Sequence, residues 1–163
     1  MSDLTGNPPA SGTALKVEDR LYLYPGAVAV VHRPSVITTI LGSCVAVCLW
    51  DPSTGRAGMN HFILPRGGGP PTARYGNHAM PMLLEEVLGL GARRKNLLAA
   101  VFGGACLLAG ESREPKLGDR NLLEARSFLD HEHIPLVNEN SGGREGRKLT
   151  FRTADGNAVV RKL

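Results

Sequence analysis

Short runs of β-branched and other apolar residues dominate the chain from residue 21 to residue 65. The segments LYLYPGAVAVVH (21–32), SVITTILG (35–42) and SCVAVCLW (43–50) each have the length and composition of strands. Residues 51–55 combine Asp, Pro, Ser and Gly, which are turn-forming residues. GMNHFILP (58–65) is therefore predicted to be the returning strand of a hairpin.

Helical periodicity occurs twice later in the chain. In residues 78–92 apolar residues recur three and four positions apart, and the segment ends in glycines suited to a C-cap. Residues 121–133 repeat the pattern, and Asp119 is the expected N-cap of this helix. Further strands are predicted at 96–105, at 134–140 and in a closing hairpin, 148–163, that turns at Asp155 and Gly156.

The balance of these elements predicts an α+β fold. Strands outnumber helices and do not alternate with them regularly, which argues against a βαβ series. Residues 1–17 are rich in Gly, Pro, Ser and Thr, and we expect them to form a disordered tail. The remaining residues, 18–163, are numerous enough for a single domain with its own core.

Composition and charge restrict the possible functions. The hydrophobic content of 42% and the charged content of 21% are those of an ordinary globular protein. The net charge is +4, but basic residues are dispersed along the chain and aromatic residues make up only 5%, so a nucleic-acid partner is not expected. Because we find no signal peptide and no apolar run of membrane-spanning length, we expect no membrane insertion and a cytoplasmic location.

Three cysteines, Cys44, Cys48 and Cys106, raise the question of a metal site, a disulfide or a nucleophile. A zinc site needs about four ligands, and no second cysteine pair or histidine pair at the usual spacing completes one, so we expect no metal and no other cofactor. Cys44 and Cys48 are roughly 13 Å apart on an extended strand, too far for a disulfide. Cys48 and Cys106 are best explained as small buried hydrophobic residues.

Cys44 differs from the other two because of the residue predicted to face it. If the hairpin turn is centred on residues 52 and 53, Cys44 lies directly opposite His61, and a turn one residue longer makes the two residues diagonal neighbours. A neighbouring imidazole can take the proton of a thiol and so convert the sulfur into a nucleophile. The pattern leaves two interpretations open, an activated cysteine and an ordinary half-buried histidine in a strand.

Residues around this pair could complete a catalytic site. Gly42 and Ser43 precede Cys44 and can expose backbone N–H groups of the kind that form an oxyanion hole. A third group usually holds a catalytic histidine ring in the useful tautomer. These strands contain no Asp or Glu, so the hydroxyls of Thr38 and Thr39 are the candidates, although threonine is also a common strand residue.

Five sequence blocks, taken together and in order, resemble the chemoreceptor glutamine deamidase family CheD. The blocks are TTILGSCVAVCLWD, GMNHFILP, RYGNHAMPMLLEEVLGLGARRKNL, FGGA and SGGREGRKL, and the resemblance extends from about residue 20 to Leu163. It implies an enzyme that hydrolyses the side-chain amide of selected glutamines on methyl-accepting chemotaxis receptors to give glutamate. It also implies that Cys44 is the nucleophile, His61 the catalytic histidine and Thr38 the polarising threonine, with Thr39 ranked second.

The resemblance further implies a fold and a partner. The expected fold is similar to that of cysteine-hydrolase toxins that deamidate glutamine, with two packed mixed β-sheets flanked by about two helices. The family forms a complex with the phosphatase CheC, so a CheC-like phosphatase is an expected partner. A non-catalytic regulatory module for that phosphatase is the alternative function. Cys106 departs from the family pattern, in which many members have a polar residue such as Asn, and substrate preference could differ accordingly.

Overall fold

The computed structural model describes residues 18–107 and 114–163. Its strands are β1 Asp19–Tyr22, β2 Val28–Val31, β3 Ser35–Leu41, β4 Val45–Trp50, β5 Ala57–Phe62, β6 Leu98–Gly103, β7 Leu136–Ser141, β8 Arg147–Arg152 and β9 Asn157–Lys162. Its α-helices are α1 Gly76–Gly89 and α2 Leu117–His131, and a 3₁₀ turn, Arg94–Asn96, precedes β6. The predicted tail, residues 1–17, lies outside the described residues.

The strands form two mixed sheets. In the four-stranded sheet the order is β9-β8-β3-β1, and the edge pair β1/β3 is parallel. In the five-stranded sheet the order is β2-β5-β4-β6-β7, and the edge pair β6/β7 is parallel. The predictions of an α+β fold with two mixed sheets and two helices, and of a closing hairpin, are confirmed for the described residues.

Strand β4 shows how the layers are arranged. All of its residues are buried. Ala46 and Cys48 pack between the two sheets, whereas Val45 and Val47 pack between the five-stranded sheet and the helices. Successive side chains of a strand point to opposite faces, and here both faces are covered. The five-stranded sheet is therefore the middle layer, which explains the uninterrupted apolar run in this segment.

Both helices begin earlier than the apolar periodicity predicts. Helix α1 starts at Gly76 instead of residue 78, and α2 starts at Leu117 instead of residue 121. Asp119 lies in the first turn of α2, where its carboxylate accepts a hydrogen bond from the Lys116 backbone N–H, so the prediction of Asp119 as N-cap is wrong. Neither helix of the described ranges combines the length and the apolar character needed to cross a membrane.

The apolar run 21–32 is two strands rather than one. Pro25 and Gly26 interrupt it, and Gly26 has a φ of +82°, a conformation that favours glycine. Strand β1 joins the four-stranded sheet and β2 joins the five-stranded sheet. The segment between them therefore connects the two sheets, and it brings Leu23 into the core between them.

Candidate active site

Cys44 immediately precedes β4, and His61 lies near the end of β5. The register of this antiparallel pair places Val45 opposite Phe62 and Ala46 opposite His61. Extended by one residue, this register places Cys44 opposite Ile63, two residues from His61, so the direct pairing expected for a turn centred on residues 52 and 53 is wrong. Cys44 is instead the diagonal neighbour of His61 on the same face of the sheet, within reach of a long or aromatic side chain.

The shift in register originates in the turn between the two strands. The Asp51 carboxylate accepts hydrogen bonds from the backbone N–H and the hydroxyl of Ser53, at 2.8 and 2.6 Å. The Asp51 carbonyl oxygen accepts from the N–H groups of Thr54 and Gly55, and the Asp51 N–H donates to Arg56. These bonds centre the turn one residue later than the sequence suggested.

His61 is buried between the two sheets, and its Nδ1 lies 2.7 Å from the Thr39 hydroxyl of the facing sheet. The same hydroxyl lies 2.7 Å from the carbonyl oxygen of Leu23, to which it donates its only proton. The hydroxyl oxygen must therefore accept a hydrogen bond from Nδ1–H, which fixes the tautomer of the neutral ring. Nε2 is left as an unprotonated acceptor, and it has no hydrogen-bond partner among the described residues.

Burial also decides the charge of the two groups. It lowers the pKa of His61 to about 4, so the imidazole is neutral at pH 7. Burial raises the pKa of the half-buried Cys44 thiol, an effect partly opposed by a hydrogen bond from the residue's own backbone N–H. At pH 7 the pair is therefore a neutral thiol and a neutral imidazole whose Nε2 is able to accept a proton.

Thr38, the first-ranked partner of His61, lies on the other side of the four-stranded sheet. Successive side chains of β3 point to opposite faces, and the inward position belongs to Thr39. Thr38 pairs with Tyr22 of β1 and Thr150 of β8. The prediction that Thr38 orients His61 is wrong, and the second-ranked Thr39 occupies that position.

The turn before Cys44 presents backbone groups suited to an oxyanion hole. Within residues 18–107 and 114–163, the N–H groups of Ser43 and Cys44 donate to no backbone carbonyl. Two carbonyl groups of the turn, by contrast, are hydrogen-bonded. The Gly42 carbonyl oxygen accepts a hydrogen bond from the Ala105 N–H at 2.9 Å, and the Cys44 carbonyl oxygen accepts one from the Gly104 N–H at 2.8 Å. The turn is fixed through its carbonyl groups, so the Ser43 N–H is able to bind an oxyanion, whereas the Cys44 N–H contacts the sulfur of its own residue at rest.

The FGGA motif lets the end of β6 approach this turn closely. Gly103 has a φ of +104°, and a Cβ atom there would lie 2.3 Å from the carbonyl oxygen of Cys44. Gly104 has a φ of +69°, and a Cβ atom there would lie 2.4 Å from the Leu122 side chain of α2. Both positions require glycine for conformation and for space, so the motif supports the backbone of Cys44.

Asn121 of α2 is a polar contact of the site that the sequence analysis missed. It is fully buried, and its Nδ2 donates to the carbonyl oxygens of Ser43 and Ile63, at 2.9 and 3.0 Å. It thereby joins the strand ends that carry the predicted nucleophile and base. A signal was present, because Asn121 interrupts the apolar stripe of α2, where a buried polar side chain requires a partner.

The other two cysteines differ in their surroundings. Cys48 is fully buried between the sheets, as predicted for a small hydrophobic residue. Cys106 is only partly buried, and its Sγ lies 3.8 Å from the Asp119 carboxylate, so its prediction as a buried hydrophobic residue is only partly correct. All three cysteines are free thiols.

The free energy of unfolding should fall as the pH decreases from 6.5 to about 4.5. In this window the unfolded chain protonates His61 below its ordinary pKa of 6.5, whereas the folded protein keeps the ring neutral until about pH 4. Acid therefore favours the unfolded state, by about 2 kcal/mol across the window. Urea unfolding at successive pH values measures the slope.

His61→Asn is the control for this slope, because asparagine does not titrate. Burial acts to raise the pKa of Asp51, but hydrogen bonds from Ser53 and from the Arg93 N–H outweigh it and lower this pKa to about 2. Its contribution is lost only below its ordinary value of 3.8, outside the window. A variant with the same slope as the unsubstituted protein would contradict the assignment to His61.

Comparison with known proteins identifies the family. The CheD family model, described as CheD chemotactic sensory transduction, matches residues 64–162. A protein of Anaeromyxobacter dehalogenans named probable chemoreceptor glutamine deamidase CheD 1 is 45% identical over 159 residues, which cover 97% of this chain and 91% of the relative. A protein of Trichlorobacter lovleyi named probable chemoreceptor glutamine deamidase CheD is 48% identical over 139 residues, covering 84% and 86%.

A solved structure of a Neisseria meningitidis protein of family DUF152 is also similar, with a TM-score of 0.44 and 11% identity over 77% of this chain and 64% of that one. This likeness is too low to bear on function. The match of the family model over well over half of the chain, and the identity of the relatives over most of it, are decisive. The chain belongs to the CheD family.

Proposed function

We propose that this protein is a chemoreceptor glutamine deamidase, which hydrolyses the carboxamide of selected glutamine side chains on methyl-accepting chemotaxis receptors. The observation that carries the proposal is the orientation of His61, whose neutral Nε2 acceptor lies on the sheet face shared with Cys44. The names of the relatives, chemoreceptor glutamine deamidases, support the choice of substrate.

In the first half of the reaction the glutamine side chain is transferred to the enzyme. The Cys44 sulfur attacks the carboxamide carbon while its proton passes to Nε2 of His61. The carbonyl oxygen becomes an oxyanion, which the N–H groups of Ser43 and Cys44 bind. His61 then gives the proton to the amide nitrogen, the C–N bond breaks, ammonia leaves and a thioester remains.

In the second half the thioester is hydrolysed. A water molecule gives a proton to Nε2 of His61 and attacks the thioester carbon. The C–S bond breaks, His61 returns the proton to the sulfur of Cys44, and the glutamine has become glutamate. Thr39 keeps Nδ1 protonated throughout, so that Nε2 is the nitrogen that exchanges protons in both halves.

Deamidation of a purified receptor tests the proposal. The protein is incubated with the cytoplasmic fragment of a chemoreceptor, ammonia is measured, and peptide mass spectrometry locates the glutamines that have become glutamates. We expect ammonia in proportion to the converted sites. A fragment whose converted glutamines are replaced by glutamate should release none, and an unmodified fragment after prolonged incubation would refute the proposed activity.

The two threonines of β3 provide a matched pair of variants. We expect Thr39→Val to lower kcat about ten- to a hundredfold, because Nδ1 loses its acceptor and the ring its fixed tautomer. Thr38→Val, a substitution of the same shape on the opposite face, should change kcat less than about twofold. KM should change little in either variant, since neither hydroxyl is proposed to contact substrate. The reverse order of effects would contradict the assignment of Thr39.

We also propose a CheC-like phosphatase as regulatory partner and the cytoplasm as the place of action. The three free thiols fit a reducing compartment. Size-exclusion chromatography of the protein with a CheC-like phosphatase should show co-elution, and separate elution at high concentration would contradict the partnership. If the protein were only a binding module for the phosphatase, it would co-elute but release no ammonia from receptors.

A further inference from the structure

We propose that the outer face of the four-stranded sheet binds an acidic amphipathic segment of a partner protein. The outer face consists of the side chains of β1, β3, β8 and β9 that point away from the five-stranded sheet. Both helices pack on the far side of the five-stranded sheet, so no helix or strand in the described part of the chain covers this face. The proposal does not depend on deamidase activity.

Three exposed apolar side chains are spread across the outer face. Tyr22, Ile40 and Val159 have 45%, 47% and 67% of their surface accessible. Tyr22 and Val159 lie on the two edge strands and Ile40 on β3, and the register places Thr38, Thr150 and Lys148 between them. Where one face of a sheet is solvated, its positions are usually polar. These three side chains therefore offer an apolar contact surface to another molecule.

The charged residues of the outer face are all basic. Lys148 and Arg161 lie directly opposite each other on β8 and β9, and like charges in such a pair are destabilising. Arg20 and Arg152 flank Val36 on the same face and add charge of the same sign. A face that carries this unrelieved repulsion is complementary to a negatively charged partner.

Nearby acidic residues do not neutralise this charge. Asp19 and Glu145 form ion pairs with Arg33 and Lys162, which lie outside the outer face. Asp155 accepts a hydrogen bond from the backbone of its own turn. Among the described residues, these carboxylates at the edges of the sheet are engaged locally, which leaves the basic pair available to a carboxylate of another molecule.

A depression of about 120 Å³ marks the place for such a carboxylate. It is lined by Lys148, Thr150, Val159 and Arg161. The depression is well below the roughly 300–1,000 Å³ of small-molecule sites, so it accepts a side chain rather than a metabolite. The two basic groups and the Thr150 hydroxyl are donors for one carboxylate, and Val159 can contact the methylene carbons of a glutamate.

The combination of charge and apolar surface favours a protein over other anionic partners. A phosphate backbone would leave Ile40 and Val159 without contacts, and Tyr22 alone does not form the row of aromatic rings on which single-stranded bases stack. A second copy of this chain would bring like charges together. The face measures roughly 400 Å² from strand spacing and length, about half of one side of a standard interface, so we expect a weak and transient complex.

Titration of the ¹⁵N-labelled full chain tests the proposal. The probe is a designed amphipathic helical peptide with glutamates on its polar face and leucines on its apolar face. We expect chemical-shift changes concentrated at the outer face, including Ile40, Thr150 and Val159. The same peptide with glutamine in place of glutamate should bind at least about tenfold more weakly, because the charge pairs are lost.

Two double variants with the same change in net charge separate a specific site from general attraction. Lys148→Glu/Arg161→Glu should weaken peptide binding at least about tenfold. Arg93→Glu/Lys95→Glu, outside the outer face, should weaken it less than about threefold. Lys148→Gln/Arg161→Gln removes the two positive charges without reversing them, so its loss of peptide affinity should lie between those of the two glutamate variants. Deamidase activity should stay unchanged in all of these variants. The melting temperature should rise slightly in Lys148→Gln/Arg161→Gln, because the repulsion between the two opposed charges is removed, and should change little in the glutamate variants.

Three results would overturn the proposal. The first is a set of chemical-shift changes located away from the outer face. The second is an equal loss of affinity in the two glutamate double variants. The third is tighter binding of duplex DNA, or of phosphatidylglycerol vesicles, than of the acidic peptide, since either would make the face a general polyanion surface.

Discussion

Replacement of Cys44 by alanine is expected to reduce ammonia release from a chemoreceptor fragment at least about a thousandfold. The carboxamide is poorly reactive, and in the proposed reaction Cys44 supplies the only nucleophile that forms the covalent intermediate. The residue is half-buried and precedes β4, so its sulfur contributes little to the core, and the fold should be retained. Ammonia release, peptide mass spectrometry and circular dichroism measure the three consequences.

The other cysteines provide controls for this result. Cys106→Ala should retain most of the activity, since its thiol contacts the Asp119 carboxylate rather than His61. Cys48→Ala should also retain activity but lose about 1 kcal/mol of stability, because a fully buried sulfur leaves a small cavity. Undiminished deamidation by the Cys44 variant would show that Cys44 is not the nucleophile. Complete loss in both controls would show that loss of activity on replacement of a cysteine does not identify the nucleophile.

The hairpin that carries Cys44 and His61 was predictable in part. Apolar runs separated by turn residues predicted β4 and β5, and the period of two placed both residues on one face. The register was wrong because it is set by the turn, and the turn by hydrogen bonds that Asp51 makes with Ser53. Sequence patterns identify a turn more readily than they centre it.

The choice between Thr38 and Thr39 could not be made from the sequence for a different reason. Adjacent residues on a strand point to opposite faces, so one of the two had to face the second sheet. The residues themselves do not say which face is inward, because Ile37, Thr39 and Leu41 alternate with Val36, Thr38 and Ile40, which are also largely apolar. Packing against the five-stranded sheet determines which face of β3 points inward.

Contacts between distant segments were the least predictable part of the site. The side chain of Asn121 reaches two carbonyl groups that are 78 and 58 residues away in the chain. Its place in α2 was predicted, but its partners depend on how the helix packs against the end of the five-stranded sheet. The need for glycine at position 103 was equally hard to predict, because it depends on the Cys44 carbonyl group, which lies beside Gly103 in the folded protein.

Replacement of His61 by asparagine is expected to lower kcat/KM by about a hundred- to ten-thousandfold, the usual contribution of a general acid–base group. An asparagine amide can donate to the Thr39 hydroxyl much as Nδ1–H does, so the buried hydrogen bond and the fold can be retained. What the variant lacks is an acceptor at the position of Nε2. Thermal unfolding of the variant separates this loss from a general loss of structure.

The pH dependence of this variant distinguishes a lost base from a distorted site. In the unsubstituted protein the base is already neutral above its pKa of about 4, so kcat/KM should be nearly constant between about pH 5 and pH 8. In His61→Asn the thiol must ionise without help, and burial raises its pKa, so kcat/KM should rise close to tenfold for each pH unit. A variant whose residual activity does not rise with pH would show that His61 does not act on the thiol proton. In the proposed reaction the proton leaves the sulfur only during attack on the substrate, so that reaction does not require a lowered pKa of the Cys44 thiol.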